Sequence, residues 1–184
     1  LAILYGENID YSIESFSTEY CSMLSEFECG NSEIDRYLCN DAKCDTTEGR
    51  GVTKLILNDN KSKVIGFYTL DCSAMIVETN ESQGKIGLAP AVEIKMFAVD
   101  KSYQDISYSK IKEDGTFSDI LLCEAINQIN NFTESTCGAV CIILYSVPSA
   151  KKFYIRNKFV SFKPIMKKND DVYLKGCEPM YMAL

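Results

Sequence analysis

The hydrophobic positions change period several times along the chain, and each change marks an element. From Phe27 to Cys44, FECGNSEIDRYLCNDAKC places Ile34, Tyr37, Leu38 and Ala42 on one face at helical spacing. Asn31 or Ser32 can cap that helix, and Glu33 and Asp35 suit its positive end. VTKLILN (Val52 to Asn58) and VIGFYTLDCSAMIV (Val64 to Val77) are β-rich runs around the polar turn DNKSK, and they predict an antiparallel hairpin. ETNESQGKIGLAP, Glu78 to Pro90, reads as a loop. VEIKMFAVD, Val92 to Asp100, is the next strand, and Ser118 can cap a helix over SDILLCEAINQINNF. AVCIILYSV, Ala139 to Val147, is apolar without alternation, as expected of a strand buried on both faces. PSAKKFYIRNKF reads as a short helix with Pro148 in its first turn. FVSFKPIM and EPMYMAL supply closing strands. The order α, β, β, β, α, β, α, β, β predicts one α/β domain over residues 1–184, a mixed sheet with helices packed against it.

Composition narrows the chemistry more than the architecture. With 184 residues, 46% hydrophobic and 24% charged, the chain is long enough for a substantial core. Its longest apolar run is about half of the ~20 residues a membrane helix needs. The chain opens on Leu1 without a charged-then-apolar leader pattern, and a cytoplasmic protein is the expectation. Nine cysteines occur without any C-x-x-C pair, which predicts reduced, mostly buried thiols rather than bridges or zinc ligands. Histidine is absent. Neither a Ser-His-Asp nor a Cys-His catalytic unit can be assembled, and no imidazole metal site exists, so no metal cofactor is expected. A net charge of −7 disfavours sequence-independent binding to nucleic acid, because neutralising phosphates supplies most of that affinity.

The ordered segments VEIKMFAVDKSYQ, SDILL and CIILYSVPSAKKFYIRNKF resemble the GNAT N-acetyltransferase superfamily. A strand ending in a Phe-Ala-Val-Asp segment followed by Tyr-Gln is one part of the likeness. Ala150, Phe153, Tyr154 and Phe159 match a later segment, with Lys158 where that family has a glycine. FECGNSEIDRYL and VIGFYTL look like the family's first helix and central hairpin. The resemblance covers roughly Phe27 to Phe159. It implies an acyl-CoA N-acyltransferase fold, a mostly antiparallel sheet with a splayed parallel strand pair and flanking helices.

The same resemblance implies acetyl-CoA as cosubstrate, its pantetheine arm bonding the backbone around Phe97, Ala98 and Val99. The pyrophosphate is expected at the start of the Ser118 helix, where unpaired N–H groups and the helix dipole favour anions. The family's glycine-rich loop is altered here. Thr116 and Ser118 take the glycine positions, flanking Phe117, and an insertion, DISYSKIKED, separates them from Gln104. Small hydroxylic side chains still allow close approach, Gly115 can make the sharp turn, and Lys110 or Lys112 can reach the anion. Asp119 is the discordant residue, since its charge repels phosphate unless it points away. These residues read as a modified anion site rather than an absent one, the alternative being a plain surface loop capping a helix.

For the chemistry, the resemblance makes Tyr154 the general acid beside the thioester sulfur, the alternative being a core aromatic at helical spacing with Phe153 and Phe159. Glu93, in the strand E-I-K-M-F-A-V, is the candidate base, the alternative being a carboxylate on a half-exposed strand. The implied reaction is acetyl transfer to a primary amine on a protein, a polyamine or another small amine. FECGNSEIDRYL also resembles the first helix of the tRNA-acetylating toxins of that superfamily; an acidic chain places a polyanionic acceptor behind the other amines, while Lys151, Lys152, Arg156, Lys158, Lys163, Lys167 and Lys168 form a local basic group that keeps it open. A catalytically degenerate GNAT-fold binding module is the competing class. The oligomeric state is open, a homodimer included, and no membrane partner is implied.

Overall fold

The hairpin read from VTKLILN and VIGFYTL is the frame on which the first half of the protein is built. Strands β2 (Val52–Asn58) and β3 (Val64–Asn80) pair antiparallel from Val52↔Leu70 to Leu57↔Val64, with a register shift at Ile56/Leu57. The computed structural model describes residues 4–80, 85–161 and 176–184, with backbone alone at 76–80, 85 and 86. A strand the sequence reading left unassigned, β1 (Tyr11–Ser15), covers β2 antiparallel from Tyr11↔Asn58 to Ser15↔Lys54. It is short, and none of its side chains is fully buried, so YSIES lacks the apolar alternation that marks a longer strand. The remaining strands are β4 (Lys85–Val99), β5 (Cys141–Ser146), β6 (Val160–Ser161) and β7 (Glu178–Ala183). The sheet runs β1-β2-β3-β4-β5-β7-β6.

The chain divides into two compact units, Leu1–Leu70 with Met96–Ile126 and Asp71–Lys95 with Asn127–Leu184. In the first, the predicted helix at Phe27 to Cys44 is three pieces, α2 (Ser32–Arg36), a π-helical turn over Tyr37–Asp41, and α3 (Ala42–Glu48), preceded by the one-turn α1 (Cys21–Leu24). The Asn31 side chain accepts from the Glu33 N–H and caps α2. Tyr37, Leu38 and Ala42 are buried as their spacing predicts. The Tyr37 hydroxyl donates to the buried Asp45 carboxylate at 2.8 Å, which also takes the Arg50 guanidinium at 3.1 Å. Helix α5 (Phe117–Ser135) presents Phe117, Leu121 and Ala125, four residues apart, to a core of Ile56, Ile65, Tyr68 and Val99. A Cβ on Gly66 would stand 3.1 Å from the Ala98 carbonyl oxygen, so this position admits little beyond hydrogen.

In the second unit, β4 and β5 pair parallel from Ala91↔Cys141 to Ile94↔Leu144, and β7 pairs antiparallel with β5 from Cys141↔Ala183 to Ser146↔Glu178. β5 is buried at five of its six residues, as its unbroken apolar run predicts. Ala91, Cys141 and Ile143 form a core with Met75 and Tyr181 against it. A 3-10 turn at Pro148–Ala150 leads into α6 (Lys151–Arg156).

Two expectations are corrected, and one lies partly outside the described residues. Most of Glu78 to Pro90 is strand rather than loop: β3 continues to Asn80 and β4 begins at Lys85, because strand pairing can extend polar sequence that no core selects. Residues 81–84 lie outside the described residues. The closing strand read from FVSFKPIM is seen at Val160–Ser161, and its remainder also lies outside them. All nine cysteines are free, yet only Cys141 is buried, and six are exposed. Cys123 shows why, since it falls on the solvent side of α5 while its neighbours Leu121, Leu122 and Ala125 fill the core. No helix among the described residues is long and apolar enough to cross a membrane.

Candidate functional site

Phe97, Ala98 and Val99 end β4, with Ala98 and Val99 buried and Phe97 packed against the core cluster that holds Val99 and Phe117. Asp100 then starts a one-turn helix, α4 (Lys101–Gln104), and its side chain accepts from the Ser102 N–H at 3.0 Å. Burial alone would raise the Asp100 pKa. Hydrogen bonds from Ser102 and from the Lys63 ammonium at 2.9 Å outweigh burial and hold it below the usual carboxylate value. Gln104 closes the turn, and its side-chain amide donates to the carbonyls of Val99 and Cys29, each at 2.7 Å.

The insertion after Gln104 folds back on itself. Ser107 and Thr116 form a β-bridge, Tyr108 N–H donates to the Gly115 carbonyl at 3.0 Å, and Gly6 and Glu7 N–H groups donate to the Ser107 and Tyr108 carbonyls at 2.9 and 2.8 Å. Ser109 holds the tip by donating to Asp114. Lys110 and Lys112 are exposed on this tip.

At the start of α5 the expected cap is corrected. The helix begins at Phe117, and the Thr116 carbonyl accepts from the Asp119 N–H at 3.0 Å, which makes Thr116 rather than Ser118 the capping position. The Asp119 carboxylate reaches back to the Thr116 N–H at 2.7 Å, the returning half of a capping box, and takes the Thr116 hydroxyl at 2.8 Å. Ser118 donates its hydroxyl to the Gln104 carbonyl at 3.2 Å, and the Phe117 N–H goes to the Ile106 carbonyl at 2.8 Å. Gly115 has φ +78°, and a Cβ there would meet the Asp119 Oδ2 at 2.7 Å. The conformation therefore requires glycine, and a side chain here would also push the Asp119 carboxylate away from Thr116. Two of the helix's first N–H groups, those of Thr116 and Phe117, are thus engaged within the protein.

The structure brings together the β4 end and the α5 start, since Gln104 bonds the Val99 carbonyl through its side chain and Ser118 through its own carbonyl. Sequence reading gave Gln104 no such role. Its signals in the sequence were its place in the Tyr-Gln pair of the family likeness and its position five residues after Val99, at the close of a turn that Asp100 caps.

Glu93 and Tyr154 lie in the other unit. Glu93 stands opposite Ile143 in the parallel pair and accepts from the Ser73 hydroxyl at 3.1 Å. The Tyr145 pKa is raised by burial and by the nearby Glu93 charge. Tyr154 is buried on α6, edge-on to Phe153 at 5.2 Å and to Phe159 at 5.7 Å. Its hydroxyl forms no hydrogen bond among the described residues. Burial pushes its pKa well above the ordinary 10.0, so it stays protonated through the neutral range. Lys152, Arg156 and Lys158 are exposed on and after α6, and Lys151 is paired with Glu178 at 2.6 Å; Lys163, Lys167 and Lys168 lie outside the described residues. Among the described residues no cluster of acidic, Cys or His side chains is arranged to hold a metal ion.

No protein-family model matches the sequence, and no curated protein matches it. Solved structures do. A structure described as a bacterial toxin superposes with a TM-score of 0.70 at 20% identity, covering 95% of this chain and 91% of that one. A tyrosine-to-phenylalanine mutant of KacT gives 0.70 at 16% identity over 94% of each chain. AtaT complexed with acetyl-methionyl-tRNAfMet gives 0.69 at 16% identity over 95% of each. These likenesses, with the parallel β4–β5 pair and the antiparallel β1–β2, β2–β3, β5–β7 and β6–β7 pairs, show that the chain has the GNAT-like fold.

Proposed function

We propose that this chain is an acetyl-CoA-dependent N-acetyltransferase and that its acceptor is the α-amino group of an aminoacyl-tRNA. The observation that carries the reading is the structural likeness, over 95% of each chain, to AtaT, whose complex holds acetyl-methionyl-tRNAfMet. In this reading the backbone of Phe97 to Val99 takes the pantetheine arm as an added strand, and the Gly115–Ser118 turn faces the pyrophosphate, aided by Lys110 or Lys112. Glu93, directly or through a water, removes the proton from the acceptor ammonium. The free amine attacks the thioester carbonyl, a C–N bond forms, the C–S bond breaks, Tyr154 gives its proton to the departing CoA sulfur, and the surplus proton on the new amide nitrogen returns to the tyrosinate through water. A tyrosine held protonated by burial suits that last step. The exposed Lys152, Arg156 and Lys158 offer a local cationic surface to the tRNA although the chain carries a net charge of −7.

The competing reading, a GNAT-fold module without CoA turnover, is favoured by one observation: Asp119 occupies the Thr116 donors. Thermal unfolding with acetyl-CoA, desulfo-CoA and ATP separates the two. A ligand at 100 times its dissociation constant adds about 2.7 kcal/mol, a shift of a few degrees for a chain of this size. Stabilisation by both CoA compounds and not by ATP supports the enzyme. No shift with either CoA compound supports the module.

A further inference from the structure

The turn after β4 is stitched to a distant stretch of chain, Glu28 and Cys29, just ahead of α2. The Lys101 N–H donates to the Glu28 carbonyl at 2.8 Å, the Lys101 ammonium pairs with the Glu28 carboxylate, and the Asp100 carboxylate faces the Glu28 N–H at 3.5 Å. The Cys29 N–H donates to Asp35 Oδ1 at 2.9 Å, which ties the same stretch to α2. Gln104 completes the set. Its one amide nitrogen has two hydrogens, and the two acceptors at 2.7 Å are the Cys29 carbonyl and the Val99 carbonyl.

We propose that Gln104 is a positioning residue for acyl-CoA: by holding the Val99 carbonyl and the Cys29 carbonyl on one amide, it fixes the end of β4 in the geometry the pantetheine arm must meet. The proposal rests on the acetyltransferase reading. Its physical basis is that an added strand gains affinity only from donors and acceptors already aimed, because ordering them on binding costs affinity. Without the amide, the Val99–Asp100 peptide keeps the bond from the Asp100 N–H to the Ile65 carbonyl at 2.9 Å but loses the donor that fixes its carbonyl. The Cys29 stretch would also lose its side-chain tie to that peptide. Gln104→Glu is the sharpest test, since it keeps shape while setting a carboxylate against two carbonyl oxygens. Gln104→Met removes the donors without adding charge.

The experiment is calorimetric titration of CoA and desulfo-CoA into the full chain, its Gln104→Glu and its Gln104→Met variants, with hydrogen exchange on peptides spanning Glu28 to Asp35. The expected result is CoA binding about tenfold weaker in Gln104→Glu, a smaller loss of the same sign in Gln104→Met, and faster exchange across Glu28 to Asp35 in both. A purely structural glutamine would lower the melting temperature and leave the CoA dissociation constant unmoved. If Gln104→Glu does not fold, Gln104→Met decides. CoA affinity within about twofold of the unsubstituted chain in folded variants would overturn the positioning role alone. If the unsubstituted chain binds no CoA, the acetyltransferase reading fails and the positioning role falls with it.

Discussion

The carboxylate of Asp119 accepts two hydrogen bonds from one residue, the Thr116 N–H at 2.7 Å and the Thr116 hydroxyl at 2.8 Å. These are the donors that a phosphate at this helix start would use. The protein's own anion and the ligand's therefore compete for one residue. Asp119→Asn keeps an acceptor for the N–H and removes the charge. It is expected to cost about 0.5–1 kcal/mol of stability through the weakened cap and to tighten CoA binding about three- to tenfold by removing one like charge. Urea unfolding and calorimetry measure the two effects. Unchanged or weaker CoA binding would place the phosphates away from Thr116.

Tyr154→Phe removes a hydroxyl that makes no hydrogen bond among the described residues and leaves the ring between Phe153 and Phe159. CoA affinity and melting temperature are expected to hold, while turnover falls about 10²- to 10⁴-fold, the usual worth of a general acid. The raised pKa also bears on pH dependence. A group whose folded pKa is raised contributes stability that is fully present below the unfolded value, 10.0, and is lost as pH rises toward the folded value. The activity profile is therefore expected to show no descending limb from Tyr154 below about pH 10. A large fall in CoA affinity in Tyr154→Phe would instead make the tyrosine a binding group.

How much of this was open to sequence reading depended on whether a residue's role is local. Asn31 as a cap, the β2–β3 hairpin and the doubly buried β5 follow from neighbours a few residues away, and each was legible. The split of the first helix around a π-turn was not, because Tyr37, Leu38 and Ala42 keep helical spacing through it. At the candidate site, Gly115 and the discordance of Asp119 could be read in advance. The Thr116 bonds that hold the Asp119 carboxylate at the helix start could not, since they depend on which residue starts α5. Gln104 was hidden for a stronger reason: one of its partners, Cys29, is 75 residues away, and no periodicity reports a side chain bonded to distant backbone.

Lys158, which stands where the resembling family has glycine, adopts φ +72°. A side chain in the left-handed region is strained by roughly 1–2 kcal/mol, part of which glycine returns through its freer unfolded chain. Lys158→Gly is expected to raise stability by a few tenths to about 1 kcal/mol. A melting temperature that falls would show that the lysine side chain makes a compensating interaction.

Lys63 and Asp100 give the test of the turn after β4. The Asp100 side chain is 5% exposed and that of Lys63 34%, so Lys63→Met leaves a buried carboxylate short of one partner. Near pH 7 the expected loss is about 1–2 kcal/mol, below the full cost of breaking a buried pair because the lysine is partly solvated. Asp100's folded pKa is depressed, so the stability it contributes is present above its unfolded value of 3.8 and is lost as pH falls through the folded value. The difference between the two proteins should therefore shrink in urea unfolding carried out below that range. A difference that is constant with pH would mean Lys63 acts through packing.

The most direct test of the acetyltransferase reading is product formation. The chain is incubated with acetyl-CoA and a pool of aminoacyl-tRNAs, CoA thiol release is followed, and the RNA is digested for mass spectrometry of the aminoacyl-adenosine. The account predicts thiol release that depends on aminoacyl-tRNA, an added acetyl group on the α-amine, and loss of both with Tyr154→Phe. Acetyl-CoA that remains intact in the presence of every aminoacyl-tRNA would contradict the proposed acceptor, and intact acetyl-CoA with protein and polyamine acceptors as well would contradict the enzyme.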